Sequence, residues 1–152
     1  MRRNLLSELL MVLWLTGCND SGDISAKEVK LLMENGRLKE VILLDVRRPE
    51  EYAAGHISGS LSMPLNSLEE RIGELDQARP VIVYCQSGKS GCSRSQRACR
   101  LLKEQGFKRV KDMAGGINEW RRIGGKIEGS GQAEETGQTK MPVWELGHGC
   151  ED

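Results

Sequence analysis

The chain has 152 residues, 38% of them hydrophobic and 29% charged, which leaves room for one ordinary domain with tails. Lys+Arg and Asp+Glu both number 22, so the formal net charge is zero and there is no electrostatic footprint for nucleic acid. Five irregularly spaced cysteines (18, 85, 92, 99 and 150) argue against a dense disulfide scaffold; without a CxxC pair, and with His56 and His148 standing alone, neither a metal site nor a cofactor is expected.

Arg2 and Arg3 form a basic start, and Leu9 to Leu15 an apolar run too short to cross a bilayer. That order is the layout of a signal peptide. The run ends in Leu15-Thr16-Gly17-Cys18, which resembles the lipobox of bacterial lipoproteins. The resemblance implies removal of residues 1–17, a lipid on Cys18 and a tether over 18–23. It would place the protein in a bacterial cell envelope, facing the periplasm and held to the membrane through Cys18. Glu8 departs from the pattern, and the alternatives are a soluble periplasmic or cytoplasmic chain.

The body reads as one domain over 24–128. Ser25-Ala-Lys-Glu28 fits a capping box that opens a helix with Val29, Leu32 and Met33 on one face and Gly36 as its stop. Val41 to Leu44, ending at Asp45, is a continuous apolar run of the kind found in strands buried on both faces. Pro49 to Ala54 suits a short helix with Pro in its first turn. Ser67-Leu-Glu-Glu70 predicts a second capping box, followed by Leu68, Ile72 and Leu75 at helical spacing. Val81 to Tyr84 is a second buried strand, and a helix from Ser95 to Gln105 is closed by Gly106. Its inner face is Ala98, Leu101 and Leu102, with Cys99 packed; Arg94, Arg97, Arg100 and Lys103 form a solvated face. Arg109 to Met113 makes another strand and Ile117 to Ile123 a last helix. Alternation of this kind indicates an α/β fold, an open parallel sheet flanked by helices on both faces. From 129 to 152 the composition predicts a flexible tail.

Chemistry concentrates after the second strand, in Tyr84-Cys85-Gln86-Ser87-Gly88-Lys89-Ser90-Gly91-Cys92-Ser93-Arg94-Ser95. Strand, small-residue loop and helix N-terminus form an anion cradle of inward backbone N–H groups. A cysteine at its mouth is favoured as thiolate. Cys85 also falls at the carboxyl end of a strand, where open α/β sheets bind ligands. The competing reading is an inert core cysteine.

The sequence resembles a single-domain rhodanese from about Ile24 to Glu128. The resemblance is carried by Leu44-Asp45-Val46-Arg47-Arg48-Pro49-Glu50-Glu51-Tyr52, Gly55-His56-Ile57-Ser58-Gly59-Ser60 and Met63-Pro64. Val83-Tyr84-Cys85, Gly106-Phe107 and Met113-Ala-Gly-Gly116-Ile117 with Trp120 complete it. It implies a rhodanese fold and a persulfide on Cys85, moving sulfur from a small donor such as thiosulfate to a cyanide or thiol acceptor. Gln86, Ser87, Gly88, Lys89, Arg94 and Ser95 would form the active-site loop, with Asp45 and Arg47 bracing it as an ion pair. A monomer is expected. The family loop reads Cys-x-x-Gly-x-Arg-Ser, which this chain matches only when Ser90-Gly91-Cys92-Ser93 is lifted out. That insert brings Cys92 within reach of Cys85 as a candidate redox partner. Two other functions stay open: a cysteine phosphatase or arsenate-reductase-like enzyme holding an oxyanion with Arg94, and a non-catalytic rhodanese module.

Overall fold

The computed structural model describes residues 22–87 and 94–129. The lipobox with Cys18, the loop residues Gly88 to Ser93 and the segment from Ser130 onward lie outside them. Among the described residues no helix is long and apolar enough to cross a membrane.

Five parallel strands form the main sheet: β1 (Asp23–Ser25), β2 (Ile42–Asp45), β4 (Leu61–Ser62), β5 (Val81–Tyr84) and β6 (Val110–Ala114). Their spatial order is β1-β6-β5-β2-β4. A small antiparallel pair joins β3 (His56–Ile57) to β7 (Ile127–Glu128). The helices are α1 (Ala26–Glu34), α2 (Pro49–Ala54), α3 (Leu65–Arg71), α4 (Arg94–Glu104) and α5 (Gly116–Arg122).

The continuous apolar runs become the central strands because both faces of the sheet are covered. On one face Ile42, Leu44, Val81 and Val83 pack with Leu68 of α3 and Ala98 and Leu102 of α4. On the other Leu43, Ile82 and Tyr84 pack with Val29 of α1 and Ile117 and Trp120 of α5. Alternate residues of one strand therefore enter different cores. Trp120 is fully buried with its indole N–H donating to the carbonyl of Lys126 at 3.0 Å, which settles the polar end of a large apolar side chain.

Ser25 caps α1 as expected: its hydroxyl accepts from the Glu28 N–H, and the Glu28 carboxylate accepts in return. The capping box at Ser67 is a correction. The helix starts two residues earlier, at Leu65 after Pro64, and the Ser67 hydroxyl donates to the Pro64 carbonyl at 3.2 Å. Pro64 sets an extended N-cap, so the first turn closes before Ser67 is reached. The long helix runs from Arg94 to Glu104, and Leu101 is only partly buried on its inner face. β1, β3, β4 and β7 are two or three residues long, too short to show a period in sequence.

Candidate active site

Cys85 follows β5 directly and is buried at 4% exposure. Its sulfur lies 3.3 Å from the hydroxyl oxygen of Ser95, in the first turn of α4. Strand end and helix start thus meet at the cysteine, the geometry the loop sequence called for. Gln86 is half-buried and Ser87 exposed. Gly88, Lys89 and Cys92 lie outside the described residues, and so does any pairing of Cys92 with Cys85.

On the β2 side the site is walled by a buried ion pair. Arg47 and Asp45 are 2% and 1% exposed. Arg47 Nη2 donates to Asp45 Oδ2 at 2.7 Å and Nε to Oδ1 at 3.0 Å, and the Arg47 backbone N–H also donates to Oδ1 at 3.0 Å. The guanidinium donates further to the Gly55 carbonyl at 2.8 Å and to Gln86 Oε1 at 3.3 Å, and lies 5.8 Å from the centre of the Tyr84 ring. Burial opposes this charge, yet the bonds and charge of Asp45 hold the guanidinium pKa above its ordinary value. Arg47 therefore ties three segments, 45–47, 55 and 86, to one point. Tyr84, on the opposite face of the same strand, accepts from the Ile57 N–H and shares a hydrogen bond with the Ser60 hydroxyl at 2.9 Å. Burial, then the charge of Asp45, pushes its phenol pKa up, so it stays protonated.

Below the cysteine, the turn into α5 closes the floor. The N–H groups of Ile117 and Asn118 donate to the carbonyls of Cys85 and Gln86 at 2.9 and 3.1 Å, and the Asn118 side chain accepts from Gln86 Nε2 at 2.9 Å. Gly116 makes that approach possible. Its φ is +54°, and a Cβ there would sit 2.3 Å from the Cys85 carbonyl oxygen.

Arg94 opens α4 and turns its guanidinium to Glu51. Its Nη1 and Nη2 donate to Glu51 of α2 at 2.6 and 3.0 Å. Partial burial works against the Glu51 charge, but Arg94, the Arg48 backbone N–H and Arg47 together hold its pKa below the usual carboxylate value. Glu51 stood in the sequence motif without an assigned role. Its position at the third residue of α2, one turn from Arg48, was the available signal.

On the β6 side stands Asp112, which the sequence reading passed over. It pairs with Val83 across the sheet and is 6% exposed. Its Oδ1 is buried without a hydrogen-bond partner among the described residues. Burial first, and then the charge of Asp23, pushes its pKa up to about 6, against the pull of Ser95. A charged residue at a buried parity position of a strand was the signal. Cys99 is a packed thiol, as expected, with burial pushing its pKa up to about 12. No group of three or more His, Cys, Asp or Glu side chains among the described residues could hold a metal ion.

Residues 25–123 match the model of the rhodanese-like domain. A sulfurtransferase of Allochromatium vinosum is 40% identical over 86 residues, 57% of this chain and 77% of that protein. The thiosulfate sulfurtransferase GlpE of Pseudomonas aeruginosa is 35% identical over 111 residues, 73% of this chain and 94% of that protein. In three dimensions the rhodanese-like domain of an Anabaena protein aligns with a TM-score of 0.66 at 28% identity, covering 86% of this chain and 97% of that domain.

Proposed function

Because the chain belongs to the rhodanese family, and at that level is a sulfurtransferase-type enzyme, we propose that Cys85 carries sulfane sulfur as a persulfide. The observation that carries this reading is the seat of Cys85 sulfur: buried at the end of β5, 3.3 Å from Ser95 Oγ at the start of α4. The sulfur there meets a helix start and a hydroxyl and not only apolar side chains. With thiosulfate as donor, the thiolate attacks the outer sulfur. A sulfur–sulfur bond to Cys85 forms, the bond to the sulfonate group breaks, and sulfite leaves with the electron pair. A thiol or cyanide acceptor then takes the outer sulfur, and Cys85 returns as thiolate. Arg47 and Asp45 hold the frame without touching the reacting atoms.

The oxyanion-enzyme alternative requires Arg94 to face the loop, and the two bonds from its guanidinium to Glu51 speak against it. A non-catalytic module has no use for a cysteine in this seat.

Incubation with thiosulfate, followed by intact-mass and peptide mass spectrometry, should add one sulfur to the Cys85 peptide. Cys85→Ser should lose that adduct and lower sulfur transfer by on the order of a thousandfold or more while leaving the fold intact, since serine supplies no thiolate and hardly alters packing. An adduct retained in Cys85→Ser, or carried on another cysteine in the wild type, rules the assignment out.

A further inference from the structure

Away from Cys85, the edge of the sheet carries a second concavity. β1 turns Ile24 into the core beside Val29 of α1, while Asp23 and Ser25 are exposed on the opposite face. That opposite face is the one α4 covers over β5 and β6, with Ala98 and Leu102 packed on Val83 and Val110. Between the β1–β6 edge and α4 lies a cavity of about 320 Å³, within the size of small-molecule sites.

The cavity has two walls of opposite charge. From the sheet come Asp23 and Asp112, direct partners in the β1–β6 register and therefore on the same side. From α4 come Arg100 and Lys103, one turn apart, with Cys99 beside them. None of the ion pairs among the described residues involves any of these four charges. Asp112 is 6% exposed and keeps Oδ1 without a hydrogen-bond partner among the described residues. A carboxylate so deeply buried ordinarily has a cation or a full set of donors. Burial, and then the charge of Asp23, pushes its pKa up, which marks a group short of positive charge.

A simple anion entering this cavity would meet two carboxylates, and a simple cation would meet two basic side chains. Only a molecule that carries both signs suits both walls. We propose that the cavity binds a free α-amino acid as its zwitterion, the ammonium toward Asp112 and Asp23 and the carboxylate toward Arg100 and Lys103. The planar guanidinium of Arg100 offers paired donors that match a carboxylate. Oδ1 of Asp112 is itself shut off from solvent, so the ammonium acts on that carboxylate as a whole, through charge that partial burial strengthens. The Cys99 thiol, its pKa pushed up to about 12 by burial, stays neutral and leaves the charge balance to the other four residues. Cys85 does not line the cavity, so the site is separate from sulfur transfer and its test needs none.

The probe is L-serine, titrated into the full-length, nitrogen-15-labelled chain at neutral pH. Backbone amide shifts of Gln96, Cys99, Arg100, Lys103 and Asp112 report on the cavity. Glycerate, which lacks the ammonium, and ethanolamine, which lacks the carboxylate, are titrated beside it. Serine should shift these amides to saturation. Each single-charge analogue should bind about tenfold more weakly or worse, because each leaves one wall unmatched. Arg100→Gln and Asp23→Asn change exposed side chains and so spare the core, and each should weaken serine by about tenfold. Arg97→Gln, a charge on the same helix that does not line this cavity, should leave serine binding within about twofold. Equal weakening by Arg97→Gln would reduce the effect to overall charge and overturn the proposal. Glycerate or ethanolamine binding as well as serine would make this a plain anion or cation site and overturn it too. So would shifts centred on Gln86 and Ser95, which would put serine beside Cys85, or the absence of any saturable shift, which would leave the cavity without an amino-acid ligand.

Discussion

On the β2 side of Cys85, a buried arginine engages a carboxylate, a backbone carbonyl and a side-chain amide, and both partners of the ion pair are saturated. On the β6 side, a buried aspartate stands opposite Val83, two residues before the same cysteine, and keeps an oxygen without a hydrogen-bond partner among the described residues. Burial is nearly equal, 1% exposure for Asp45 and 6% for Asp112. The difference is in partners, and it separates two uses of a buried charge. Asp45 has a charge that is matched and fixed, so it holds the 45–47, 55 and 86 segments together. Asp112 has no ion-pair partner among the described residues and a pKa pushed up to about 6, so its protonation can change near neutral pH.

The largest expected effect comes from breaking the saturated side. Arg47→Ala leaves Asp45 charged, buried and without its cation, and should destabilise the protein by about 3–5 kcal/mol. Urea unfolding at pH 7 measures it as a fall in the midpoint at constant slope. A loss below about 1 kcal/mol would show that Asp45 finds other partners and that the wall is not built on the pair.

The opposite side should respond with the opposite sign. Asp112 has a folded pKa of about 6, above its ordinary 3.8. Relative to the unfolded chain, the group therefore contributes stability fully present below pH 3.8 and lost as pH rises through about 6. Asp112→Asn removes that loss. It should unfold with the wild type near pH 4 and be the more stable protein by about 1–2 kcal/mol at pH 8, discounted for its contact with solvent near the cavity. Unfolding midpoints at the two pH values decide it. A variant less stable than wild type at pH 8 would mean that the carboxylate is matched after all, and the contrast with Asp45 would fall.

The contrast was half visible in the sequence. Asp45 and Arg47 end a strongly apolar strand in a long, ordered motif, so their pairing could be expected from residues two apart. The central strands and α1, α2 and α4 were legible for the same reason: periodic or continuous apolar runs bounded by Ser25, Pro49 or Gly106. Asp112 was not legible as a site residue, because its place near Cys85 is made only across the sheet. Nor was the role of Glu51, which depends on α2 packing beside the start of α4. Ser67 misled because a capping motif is a local pattern, and Pro64 had already started the helix.

Glu51 gives the smallest effect and fixes the boundary of the comparison. Its pair with Arg94 is short, 2.6 and 3.0 Å, and bidentate like that of Arg47, yet its side chains are 30% and 34% exposed. If exposure and not bond geometry decides the worth of a pair, Glu51→Gln should cost only about 0.5 kcal/mol, within the range of solvent-screened pairs. Glutamine keeps an acceptor for the Arg48 N–H, so the start of α2 should be spared. The sign with pH follows from a carboxylate pKa held below its ordinary 4.5: the contribution is present above that value and is lost as pH falls through the lowered one. Raising salt from low concentration to 1 M should erase most of the difference between Glu51→Gln and wild type, since the Debye length falls to about 3 Å. The same salt should leave the Arg47→Ala loss nearly unchanged, because no ions reach a pair that is 98% or more buried. A Glu51→Gln loss as large as that of Arg47→Ala, and as indifferent to salt, would show that bidentate geometry alone sets these energies. Arg94 would then have to be counted with the rigid wall and not with its screened rim.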